Sequence, residues 1–173
     1  MVRKAIVIII SSFLLSSYVS GQSAMDKLWD KYSGQEGITS VFISKYMFDM
    51  FRNIEAENGE EEFQHVISKL NGIKILATKN QESAQKINLH DEIFNGIKGK
   101  KYEELMVIRD EGEDVKFLVL EEKGKIAELL MIVTSPKENV IISIQGNLDM
   151  NDLAKLSKTF NIEGMERLEQ LDE

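Results

Sequence analysis

The sequence predicts an α+β domain of two layers, an antiparallel meander sheet of about five or six strands packed by helices. Three observations predict it. Apolar residues recur at helical spacing through much of the stretch from residue 25 to residue 97. From residue 102 to residue 145, β-branched runs alternate with tight-turn chemistry. Finally, helices and strands do not alternate strictly, as they would in a doubly wound parallel fold.

The first residues read apart from this domain. Arg3 and Lys4 form a positive start, and Ala5 to Val19 carries no charge. Val19-Ser20-Gly21 then supplies small or modest residues before Gln22, the pattern of a secretory signal peptide. The apolar run is shorter than the ~20 residues that span a bilayer. The chain has no cysteine for a lipid anchor. The expectation is a leader over residues 1–21 and a single α+β domain over 22–173, exported to the periplasm or beyond and not inserted in a membrane once cleaved.

The mature chain then opens with a helix over Met25–Tyr32, showing Met25, Leu28, Trp29 and Tyr32 on one side. Gly34 and Gly37 break it, and the β-branched and aromatic run Ile38–Ile43 is a strand. Lys45–Ile54 is helical, with Met47, Phe48, Met50 and Phe51 clustered, and Glu55–Gly59 is a polar loop. Glu60–Leu70 places Phe63, Val66, Ile67 and Leu70 on a buried stripe, with Gly72 standing where a C-terminal cap belongs. Ile73–Thr78 is the second strand. Gln81–Ile97 reads as one helix ended by Gly99, with Ala84, Ile87, Phe94 and Ile97 sharing a face.

Strands follow at Tyr102–Arg109, Val115–Glu121, Ile126–Thr134 and Val140–Gln145, separated by Asp110–Asp114, Glu122–Gly124 and Ser135–Glu138. Pro136, the only proline, sits in the last of these turns. Residues 98–119 echo residues 123–144, with 8 of 22 positions identical. Each unit runs turn, strand, turn, strand, so two similar hairpins stack into a four-stranded meander, whether by duplication or by shared constraints on hairpins. These strands are apolar on both parities, as in Leu129-Leu-Met-Ile-Val133, so neither face lies wholly in water. Met150–Lys158 is a helix capped by Asp149, and Glu163–Leu171 adds an amphipathic turn or two.

Composition narrows the function classes. With 29 acidic and 21 basic residues the net charge is −8. Loss of Arg3 and Lys4 with the leader leaves 19 bases against 29 acids, a balance that disfavours nucleic acid as the main partner. The lack of cysteine excludes disulfides, thiolate metal sites and a thiol nucleophile. Neither Gly112 nor Gly59 is preceded by oxygen ligands at the EF-hand spacing, and the Asn147, Asp149, Asn151 series lacks the glycine at position 6. His65 and His90 fall in separate helices without an H-E-x-x-H pattern. No Walker loop, G-x-G-x-x-G or G-x-S-x-G elbow occurs.

Three stretches carry a resemblance. They are Lys31–Gly34 through Glu36-Gly37 into Thr39–Phe48; Glu128–Val133; and Ile142–Gly146 with Leu148-Asp149. Together they resemble the domain-of-unknown-function 4252 family, exported proteins of Bacteroidetes-type Gram-negative bacteria, over about Met25 to Leu168. The resemblance implies a periplasmic or secreted single domain, with no established activity and no catalytic, cofactor-binding or metal-binding residues to carry over.

The resulting expectation is a non-catalytic binding, interaction or regulatory module of the cell envelope, with a protein partner and no cofactor. One alternative is an envelope hydrolase using a carboxylate pair or a His65/His90 metal site. Another is a structural subunit of a surface assembly built through an exposed strand. The Met47, Phe48, Met50 and Phe51 cluster is core by its periodicity, whereas apolar surface left over there is how an interaction module reveals itself.

Overall fold

The computed structural model describes residues 23–52 and 61–160. The expected leader over 1–21, the polar loop Glu55–Gly59 and the amphipathic turns Glu163–Leu171 lie outside them.

Six helices and six strands are described. Helix α1 (Ala24–Tyr32) begins at a capping box: Ser23 Oγ accepts from Asp26 N–H at 3.0 Å, and Asp26 accepts in return from Ser23 N–H at 3.2 Å. Such a cap contributes ~1 kcal/mol to the helix. Strand β1 (Ile38–Ser44) runs straight into α2 (Lys45–Arg52). After α3 (Glu61–Ser68), a single residue, Lys69, leads into β2 (Leu70–Thr78). Gly72 is therefore not a helix cap. It lies inside β2 opposite Ser44, where an added Cβ would stand 3.2 Å from the Phe42 ring.

The single helix expected over Gln81–Ile97 is two, α4 (Gln81–Lys86) and α5 (Leu89–Ile97). The physical reason is a local competitor. Ile87 is extended, and Asn88 Oδ1 accepts from Asp91 N–H at 2.9 Å, capping a new helix instead of continuing the old one. Strands β3 (Tyr102–Asp110), β4 (Glu113–Glu122), β5 (Lys125–Thr134) and β6 (Asn139–Leu148) then form the expected meander, and α6 (Met150–Phe160) closes the described chain. Two tight turns join β3 to β4 and β4 to β5: Glu111-Gly112 (φ 40° and 92°) and Lys123-Gly124 (φ 54° and 74°). Two successive residues at positive φ match the strand twist, and the second is glycine in each turn.

The sheet order is β1-β2-β6-β5-β4-β3, antiparallel throughout. Strand β6 slots between β2 and β5, leaving β1 and β3 as the edges. Helices cover both faces, as strands apolar on both parities require. Against one face, α2, α3 and α6 bury Phe48, Val66, Ile67, Leu153 and Leu156 over Phe117, Leu129 and Ile144. Against the other, α1 and α5 bury Met25, Leu28, Leu89 and Ile93 over Leu118, Leu130, Ile132 and Ile141. The α+β antiparallel sheet packed by helices is as expected, but the sheet lies between two helix layers instead of forming one of two layers, because alternate residues of its strands are apolar on both faces.

Candidate functional site

Two surfaces stand out, one polar and one apolar. The polar one follows from a row of irregularities. The ladders shift register at Leu70/Gly72, Glu104/Met106, Leu120/Glu121 and Ile126/Glu128, all at the same end of the sheet. Bulges open the pleat there, and a groove of about 740 Å³ lies beside them, lined by Asp26, Asn71, Lys101, Glu122, Glu128 and Gln145 among others.

Beneath this groove Glu128 is only 2% exposed. It accepts from the Tyr102 hydroxyl through Oε2 and from Ser143 Oγ, at 2.5 Å, through Oε1. Gln145 Nε2 lies 3.4 Å from Glu128 and 3.3 Å from Ser23 Oγ, joining the cluster to α1. Burial and the neighbouring carboxylate both push the Tyr102 hydroxyl above its ordinary pKa, so it stays a donor. Beside the cluster, Lys74 Nζ sits 2.5 Å from Asp26 and over the rings of Phe42 and Trp29. Burial pushes the Asp26 carboxyl up, but Lys74 and Ser23 outweigh it and the net shift is downward. These carboxylates are engaged with donors from the protein itself, which ties α1, β2, β3, β5 and β6 together.

Sequence reasoning did not single out this cluster. The signal was present, however: Glu128 is the only charge within Ile126–Thr134.

The apolar surface lies along β1 and α2. In β1, Val41 and Phe42 are exposed, Phe42 at 52%. In α2 only Phe48 of the methionine–phenylalanine cluster is buried; Met47, Met50 and Phe51, spaced three and four apart, form an exposed stripe beside Tyr46. Edge strand β1 carries no charge and no proline and pairs with β2 without a register shift. Within the described residues it shows no charge, proline or bulge, three of the devices by which edges are protected.

The two histidines are not brought together. His65 is on α3 and His90 on α5, and these helices pack on opposite sheet faces, so no one ion reaches both. His90 Nδ1 lies 3.1 Å from Asp91 and its ring 4.6 Å from that of Phe94. It lines a smaller cavity of about 310 Å³ with Thr134 and Asn139. Among the described residues no three His, Asp or Glu side chains group as metal ligands, and no helix is long and apolar enough to cross a membrane. The acidic run Asp110–Asp114 forms the β3–β4 turn, with Arg109 3.5 Å from Asp114. Asp149 caps α6, accepting from Asp152 N–H at 3.0 Å with Lys125 at 3.2 Å.

Fold and surfaces together define an α+β domain with a six-stranded antiparallel sheet, one edge regular and the other bulged. The chain belongs to the DUF4252 family: the family model, described as a domain of unknown function, matches residues 32–156. That span runs from the last residue of α1 into α6 and includes all six strands. Searches of curated proteins and of solved structures find no significant match.

Proposed function

We propose that this protein is an exported component of the cell envelope that works by binding another polypeptide along β1 and the neighbouring face of α2. The observation that carries the reading is the exposed Met47–Met50–Phe51 stripe beside an uncharged edge strand. A half-exposed apolar stripe gains ~25 cal/mol per Å² when covered, and an open strand edge offers main-chain donors and acceptors to an added strand. The leader-like Arg3–Gly21 segment supports export, and the acidic balance supports a protein partner over a polyanion. A subunit of a surface polymer would use the same edge. A strand-to-strand polymer needs two open edges, however, and β3 carries a bulge and the charges Glu103, Glu104, Arg109 and Asp110.

A photo-crosslinking residue placed at Phe42 in the producing cells tests this reading. Covalent adducts with a polypeptide are expected from position 42 and not from Arg109 on β3. Equal yields at the two positions, or none at 42, would overturn it. Fractionation should recover the chain outside the cytoplasm with Gln22 at its N-terminus.

A further inference from the structure

The β1 edge is complementary to itself. We infer that two copies of the chain pair antiparallel through β1 about a two-fold axis at Val41, joining their sheets into one; this rests on the reading that β1 is a docking edge. No hydrogen bond reaches the outer side of β1 from another described element, and its register with β2 is unbroken from Ile38↔Thr78 to Ser44↔Gly72.

An axis at Val41, the middle residue of the strand, sets Val41 against its own copy. Phe42 then faces Ser40, Ile43 faces Thr39 and Ile38 faces Ser44. Every larger side chain off the axis meets a small hydroxylated one, so Phe42 gains a neighbour without a clash. Charge agrees with this register. The strand is preceded by Glu36 and followed by Lys45, whose ammonium also lies 3.1 Å from Asp49 on α2, with no charge between. Antiparallel pairing brings the end of the strand that Lys45 follows beside the end that the other copy's Glu36 precedes, at both ends of the joint. A parallel arrangement would set like against like. The acidic balance of the chain does not oppose this contact, because charges farther away than about 8 Å are screened at physiological salt.

A two-fold axis through two antiparallel edges runs perpendicular to the sheet, so both α2 helices fall on the same face. Their Met47–Met50–Phe51 stripes then lie on one side of the joined sheet. The contact is isologous and consumes both β1 edges, leaving a bulged, charged β3 at each outer end. It closes as a dimer and does not propagate.

The cysteine-free chain allows a direct test. Sedimentation of the purified chain is expected to give a dimer at micromolar concentration. Val41→Cys should form an intermolecular disulfide on oxidation, because position 41 meets itself at the axis. Thr39→Cys, which faces position 43, should form far less. Val41→Lys sets two like charges together and should weaken association at least about tenfold, with the circular dichroism spectrum unchanged. A monomer throughout, a Val41→Lys variant as dimeric as the parent, or equal crosslinking at 39 and 41 would overturn the two-fold joint. Adducts from position 42 in cells to a different protein, with a monomer in isolation, would sink the self-pairing and leave the docking edge standing.

Discussion

At one side of the sheet, β1 presents seven residues, Ile38–Ser44, without a charge, a proline or a bulge. At the other, β3 carries acids at Glu103, Glu104 and Asp110, a base at Arg109 and a register shift between Glu104 and Met106. Both edges expose a row of peptide groups, and both flank the same hydrophobic cores. The charges and bulge on β3 make an added strand desolvate ions and follow a bent backbone; β1 imposes neither cost. Strand β3 is also fastened inward, since Tyr102 reaches across β4 to donate to Glu128. The difference teaches that openness at β1 is not a property of edges in this fold. It belongs to one strand.

The largest expected effect tests the fastening of β3. Glu128→Ala removes the acceptor of Tyr102 and Ser143 and leaves a cavity beneath the groove. Urea denaturation should register a loss of about 2–4 kcal/mol. Glu128→Gln, which keeps a carbonyl acceptor, should lose less. If Glu128→Ala cost under ~1 kcal/mol, the polar cluster would not be what holds β3 in place.

Next comes Asp149, which caps α6 over the middle of the sheet and belongs to neither edge. Its carboxyl is held down to about 2, chiefly by the Asp152 N–H and further by Lys125 and Lys69. The folded pKa lies below the ordinary 3.8, so the stabilisation is whole above pH 3.8 and drains away as pH falls toward about 2. Asp149→Ala should cost ~1 kcal/mol at neutral pH and flatten that part of the acid limb, leaving both edges as they were. A change in association would show that α6, and not β1, controls docking.

The smallest effect on stability is expected where the effect on binding is greatest. Val41→Lys, on an exposed site, should shift the unfolding free energy of the monomer by no more than ~0.5 kcal/mol. Thermal unfolding at a concentration low enough to dissociate any dimer measures this. A larger loss would mean that the β1 side chains serve the fold, and the contrast between the edges would fade.

Local order was largely legible. The meander from Tyr102 onward, its two Gly-containing turns and the Asp149 cap follow from contacts a few residues apart, where side-chain type and spacing suffice. The break at Ile87-Asn88 was hidden because the apolar period runs through it while one asparagine redirects the backbone. Of the candidate site, the methionine–phenylalanine cluster was visible, yet which members faced outward was not.

The sequence by itself determined the order of the helices and strands in outline, and that neither face of the sheet lies wholly in water. The tertiary structure alone decided that β6 enters between β2 and β5, which makes β1 an edge. It also set the fates of Glu103 and Glu128, the same residue at equivalent points of the internal echo. One is exposed on edge strand β3; the other is buried on β5 with hydroxyl donors. Periodicity reports a residue's direction from its own backbone. What stands in that direction is fixed by pairings between segments far apart in the chain, which leave no local trace.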